Sequence, residues 1–263
     1  MIPRINELIE SYVERRPEYD FTTTNKVLHQ LWCIDTEDDV EEIQRLFRGV
    51  KTAYVADGHH RSASSMLYCH RKRKESMRVE GDEPYNYFMS FLIDDEQMRI
   101  YDYNRLIRDI NGLTVEEFIM KVNESYILQK KEDIHKPIAQ AEISMYLDGV
   151  WYSLTAKDRI YTPSDCVSSL DAALLSNHVL KPILGVKDLR KDERVDFLDG
   201  KQGLTALQYA VDSGVYRVAF ALKPVTINQL KEVADQKEIM PPKSTYIEPK
   251  LRSGLVIYSL GQD

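Results

Sequence analysis

Ile143-Ser144-Met145-Tyr146-Leu147-Asp148-Gly149-Val150-Trp151-Tyr152-Ser153-Leu154-Thr155 reads as a β-hairpin. Ile143, Met145 and Leu147 share one face of a strand, because successive side chains of an extended chain point to opposite sides. Asp148-Gly149 is a two-residue turn that tolerates the positive φ angles a tight hairpin needs, and residues 151–155 form the return strand. The pattern predicts antiparallel sheet in the middle of the chain.

On the N-terminal side of the hairpin, Thr114 is followed three residues later by Glu117, a capping box. It opens a helix with Phe118, Ile119 and Val122 on its apolar face. Residues 87–93 and 98–103 are expected as two strands joined across Asp94-Asp95-Glu96-Gln97. Further back, Ile5, Leu8, Ile9, Tyr12 and Val13 follow helical spacing, and Pro17 stops that helix. Residues 27–34 suit a strand, and residues 38–47 suit a helix with Val40, Ile43, Leu46 and Phe47 on one face. Residues 52–56 are expected as a short apolar strand broken by Asp57-Gly58. A helix to about residue 77 follows, with Ala63, Met66 and Leu67 turned inward.

On the C-terminal side, residues 170–183 are expected to be helical with an interruption at Pro182. Residues 204–211 form a helix ended by Gly214, and residues 215–222 a strand. Thr226 and Gln229 make a second capping box for a helix through Ala234, and residues 255–260 a final strand. The sum is an α+β protein. Its expected parts are a strand–turn–helix unit over residues 1–80, a mostly antiparallel β unit with a helix over 81–165, and a C-terminal α/β segment over 166–263. These boundaries are soft, since no linker rich in Gly, Pro or Ser separates the parts.

The chain has 263 residues, 43% of them hydrophobic and 29% charged, which is enough apolar material for a core and argues against a disordered protein. No apolar run reaches the roughly 20 residues a membrane span needs. The first residues lack the layout of a signal peptide. A formal net charge of −7 argues against general nucleic-acid binding. Cys33, Cys69 and Cys166 are odd in number and scattered, which argues against a disulfide framework and a Cys-X-X-Cys zinc site. A cytoplasmic protein with reduced thiols is expected. The oligomeric state is left open.

The most unusual local sequence is Ala56-Asp57-Gly58-His59-His60-Arg61-Ser62, placed where a helix begins. A helix start offers free N–H groups and the positive end of the macrodipole to an anion. Gly58 permits close backbone approach, Arg61 grips phosphate in a bidentate manner, and His59 and His60 add donors that change protonation near neutral pH. Ser62 adds a hydroxyl. Asp57 would repel a bare phosphate, but it suits a Mg²⁺ ion or a substrate hydroxyl. Anion handling beside an acid–base group is what phosphoryl transfer requires. The competing structural reading is a solvated helix start capped by Asp57. Capping explains neither histidine. Adjacent histidines on a helix diverge by about 100°, which argues against a shared zinc ion.

Lys243-Ser244-Thr245 follows two prolines and offers a rigid loop that delivers an ammonium and two hydroxyls to an anion, with Lys250 beside it. The bland alternative is a stiffened turn. Arg105, in Tyr103-Asn104-Arg105, either faces the same cleft or, the favoured reading, makes a surface ion pair. His70-Arg71-Lys72-Arg73-Lys74 reads as a solvated helix C-terminus, where cations are favoured, and not as a nucleic-acid patch.

Four segments in order resemble the bacterial domain of unknown function 1015 family, from about residue 17 to the end. They are Tyr19-Asp20-Phe21-Thr22 with His29-Gln30-Leu31-Trp32, then Tyr54-Val55-Ala56-Asp57-Gly58-His59-His60-Arg61-Ser62-Ala63, then Asp148-Gly149-Val150-Trp151-Tyr152. The last is Met240-Pro241-Pro242-Lys243-Ser244-Thr245-Tyr246-Ile247-Glu248-Pro249-Lys250-Leu251 with Ser253-Gly254-Leu255-Val256. The Asp-Gly-His-His-Arg motif is similar to the phosphate-binding motif of the ParB and sulfiredoxin superfamily, most closely that of ParB-like free-serine kinases. That resemblance implies a ParB-like nucleotide-binding unit in the first part of the chain, ATP or ADP with Mg²⁺ as cofactors, and transfer of phosphate to a small hydroxyl compound, with free serine as the best single choice. It assigns phosphate binding to Gly58, His59, His60 and Arg61, and the metal or the acceptor hydroxyl to Asp57. His59 or His60 would also steady charge on the transferred group.

The resemblance argues against sulfiredoxin chemistry, because the position where its cysteine would stand is His59 or His60. The alternatives are a nucleotide-binding switch without turnover, or a chain that holds only part of an active site. Family members usually carry a further N-terminal region with its own Lys-, His-, Glu- and Arg-containing motif, and no counterpart precedes Tyr19 here.

Overall fold

The computed structural model of the chain describes residues 3–76 and 80–260. It divides into two units, Met1–Val55 and Ala56–Asp263. In the first, helix α1 (Pro3–Val13) precedes a hairpin of β1 (Tyr19–Thr22) and β2 (Leu28–Leu31), and α2 (Glu37–Phe47) follows. Tyr12 is the buried residue of α1, and its hydroxyl donates to Asp39 Oδ2 at 2.7 Å.

The second unit opens with α3 (His59–Glu75). Its body is a six-stranded sheet in the order β5-β7-β6-β9-β4-β8, antiparallel throughout. The strands are β4 (Tyr103–Ile107), β5 (Tyr126–Lys131), β6 (Glu142–Leu147), β7 (Val150–Ala156), β8 (Val195–Asp199) and β9 (Val218–Ala221). The hairpin read from sequence is its β6–β7 pair, with Asp148 at φ 52° and Gly149 at φ 79° in the turn. The period-2 alternation sorts the side chains onto two faces. Ile143, Met145, Leu147, Tyr152, Leu154, Ile107, Val218 and Phe220 form the larger core with α4 (Val115–Ser125) and α5 (Asp171–Leu175), which runs on as a π-turn over Ser176–Leu180. Leu106, Tyr146, Trp151 and Ala219 face Leu207 and Val211 of α6 (Gly203–Asp212). The result is three layers, helix–sheet–helix.

Both capping boxes are present. Thr114 accepts from the Glu117 N–H, and Thr226 from the Gln229 N–H at the start of α7 (Ile227–Asp235). A short second pairing joins β3 (Arg99–Tyr101) to β10 (Tyr246–Glu248), Tyr246 opposite Tyr101. Among the described residues no helix is long and apolar enough to cross a membrane.

Three expected strands do not form. Residues 52–56, 87–93 and 255–260 enter no ladder among the described residues. Apolar content alone cannot make a strand, because its backbone groups need a partner to exchange hydrogen bonds with. Helix α3 forms as read, but it has no buried residue, and Met66 and Leu67 are 56% and 65% exposed. Ala63 is also exposed. The few apolar side chains on this mostly polar helix make too narrow a stripe to dock it. Its packing partner is the 3₁₀ turn Pro84–Asn86, held by Arg73 Nε donating to Asn86 Oδ1 at 2.7 Å.

Candidate phosphate-binding site

Gly58 is the N-cap residue of α3, at φ 84°, a left-handed conformation that favours glycine. A Cβ at this position would meet Arg61 Nη2 at 3.3 Å, so the guanidinium lies back over the glycine. Asp57 does not cap the helix. Its Oδ1 accepts the Gly58 N–H at 2.7 Å, and no side chain caps the first turn. The first intrahelical bond at this end is Ser62 N–H to Gly58 O at 3.0 Å, which leaves the N–H groups of His59, His60 and Arg61 ahead of the helical ladder. His59, His60 and Arg61 are exposed, and Ser62 is half-buried. The basic run ends the helix as expected: Arg71 Nε and Lys72 Nζ pair with Glu75 at 3.2 and 3.8 Å.

The C-terminal signature reaches this helix start. Lys250 Nζ lies 3.8 Å from Asp57 Oδ2, both side chains about half exposed. Lys250 also sits 4.4 Å over the Tyr246 ring. Tyr246 meets Tyr103 edge-on, with centroids 5.6 Å apart, and Lys243 Nζ lies 5.2 Å over that Tyr103 ring. The β3–β10 register explains the arrangement. With Tyr246 opposite Tyr101, the residues before Tyr246 run alongside the start of β4. Lys243 is exposed and left-handed at φ 58°. The Ser244 hydroxyl is not turned to solvent: it is buried and donates to Pro241 O at 2.7 Å. Thr245 is half-buried. Lys201 Nζ pairs with Glu248 at 2.6 Å beside the same strand, which raises the lysine's pKa.

Arg105 departs from its favoured sequence reading. It is fully buried and makes no ion pair among the described residues. It sits on β4 directly between Phe197 of β8 and Phe220 of β9, on the face that carries the larger core. Its Nη1 donates to Tyr103 O, its Nη2 to Lys243 O at 3.1 Å, and its Nε has no partner. Burial pushes its pKa down to about 10. The sequence signal was an arginine in phase with Tyr103 and Ile107, on a strand whose alternation makes that phase the core side.

The chemistry of the donor set bears on Mg²⁺. Among the described residues no group of three His, Cys, Asp or Glu side chains is arranged to hold a metal. Mg²⁺ usually takes only one or two protein carboxylates and completes its shell with waters and substrate phosphates. Asp57 fits that lesser role.

The chain belongs to the family described as Protein of unknown function (DUF1015), which it matches over residues 2–173. The Asp57–Arg61 motif lies inside that span, and the segment from Met240 lies beyond it. No curated protein matches the chain. Among solved structures, a free serine kinase in complex with AMP is 11% identical with a TM-score of 0.41, covering 76% of this chain and 69% of that one. A conserved hypothetical protein from Pyrococcus furiosus is 11% identical with a TM-score of 0.39, covering 94% and 84%.

Proposed function

We propose that the chain is a nucleotide- and Mg²⁺-dependent phosphotransferase acting on a small hydroxyl metabolite, with free serine as the leading acceptor. The observation that supports this reading is the meeting of Lys250 with Asp57 at the start of α3. It joins the two quoted signatures at one point and supplies positive charge beside the only carboxylate of the motif. In this reading Arg61 and the N–H groups after Gly58 bind the nucleotide phosphates. Asp57 holds Mg²⁺ with those phosphates or orients the acceptor hydroxyl. The metal would supply charge neutralisation on the phosphates. The hydroxyl oxygen forms the new P–O bond, the bond to the bridging oxygen of ATP or ADP breaks, and the hydroxyl proton passes to Asp57 or a histidine. His59 or His60 steadies charge on the transferred group. Lys243 and Thr245 supply further donors from the C-terminal loop.

The test is incubation of the full chain with ATP or ADP, Mg²⁺ and L-serine, read by ³¹P NMR for a phosphomonoester. Phosphoserine formed by the wild type and absent with Arg61→Ala is expected. Nucleotide binding without any phosphomonoester would replace transfer by a binding role.

A further inference from the structure

Arg105 presents a problem of charge. A guanidinium carries five N–H donors and does not lose its proton in proteins. When buried it is normally paired with a carboxylate, because an isolated buried ion is costly. Here its acceptors are two backbone carbonyls, of Tyr103 and Lys243, and Nε has none. A second cation shares the same aromatic surface. Arg105 Cζ lies 5.0 Å from the centre of the Phe197 ring, and Lys243 Nζ lies 5.9 Å from it. Neither of these two cations makes an ion pair among the described residues, so an anion between them would be favoured.

The loop that covers Arg105 is built to stay in place. Pro241 and Pro242 stiffen it, the Ser244 hydroxyl bonds back to Pro241 O, and the Lys243 carbonyl is fixed by Arg105 itself. The Lys243 side chain, by contrast, is exposed and held only by ring faces. The Lys243 ammonium is therefore the part of this pair that solvent reaches.

We propose that Arg105 and Lys243 form a second oxyanion subsite, for a phosphate or pyrophosphate group. The subsite shares Lys243 with the functional reading above but stands on the unpaired Arg105, and it requires neither a nucleotide nor an acceptor.

The test uses inorganic pyrophosphate, titrated calorimetrically into the full chain, with Arg105→Met, Lys243→Ala and Arg61→Ala alongside. Loss of a charge-assisted hydrogen bond predicts at least about tenfold weaker binding for Arg105→Met. Because the substitution removes a buried unpaired charge, that variant should melt no lower than the wild type without pyrophosphate. Unchanged affinity in Arg105→Met, or no binding by the wild type, overturns the proposal. If Arg105→Met fails to fold, Lys243→Ala decides, since its side chain is exposed: unchanged affinity overturns the subsite. If Arg61→Ala abolishes pyrophosphate binding and Arg105→Met does not, the anion sits at the helix start, and this proposal fails while the functional reading stands. Arg105-dependent binding without phosphoserine formation gives the reverse.

Discussion

Lys250 Nζ stands 3.8 Å from Asp57 Oδ2, and through that contact the C-terminal loop reaches the residue just before the N-cap of α3. Both groups are about half exposed, so the pair adds little to stability. Its consequence is positional. A lone aspartate at an anion-binding helix start repels phosphate, and a lysine beside it offsets that charge.

Arg61→Ala should abolish the rise in melting temperature given by ATP or ADP with Mg²⁺ and leave the melting temperature without nucleotide unchanged. The side chain is exposed and is not part of a core. A ligand at 100 times its Kd stabilises by about 2.7 kcal/mol, a readily visible shift. Retention of the full shift in the variant would remove Arg61 from the phosphate site.

Gly58→Ala should weaken nucleotide binding and cost about 1 kcal/mol in stability, because alanine is strained at φ 84° and its methyl group displaces Arg61. Urea denaturation and nucleotide titration measure the two effects. A variant as stable as the wild type would mean that α3 can begin in another conformation.

Lys243→Ala should reduce nucleotide affinity by less than Arg61→Ala does. An equal or larger loss would make the C-terminal loop the principal anion grip, with the helix start in support.

Asp171 supplies a pH signature remote from the site. Burial pushes its pKa up to about 7, although its Oδ1 accepts the Ala141 N–H at 2.8 Å. The folded state therefore binds a proton that the unfolded state releases near pH 4. This contribution to stability is present below about pH 4 and is lost as the pH rises to about 7. Asp171→Asn keeps an acceptor for Ala141 and removes the titration. Its stability relative to the wild type should rise between pH 4 and pH 8, and a pH-independent difference in denaturation midpoints would contradict the assignment.

The elements legible in the sequence are those whose signal is local and complete. The β6–β7 turn carries Asp148-Gly149 where positive φ is needed, and both capping boxes place donor and acceptor three residues apart, so no distant residue had to be known. Residues 87–93 and 255–260 look as apolar as true strands, but strandedness depends on a neighbour that composition does not reveal. The same limit governs α3, where spacing located the helix and only tertiary contact could decide whether Met66 and Leu67 were covered. At the candidate site the helix start itself was legible because Asp57-Gly58 and the residues that follow it are consecutive. For Arg105 the alternation with Tyr103 and Ile107 carried the phase, but its cover was not legible, since Phe197 and Phe220 arrive from strands far along the chain.

Tyr87, Phe88, Met89, Phe91 and Leu92 are each more than half exposed. Such a run, with no charged residue and no proline, has the composition that stacks between molecules when nothing intervenes. The net charge of −7 opposes the close approach of copies of the chain. Salt shortens the reach of that repulsion to about 3 Å at 1 M. Association of copies through this run should accordingly grow with ionic strength and be least in dilute buffer well above the isoelectric point.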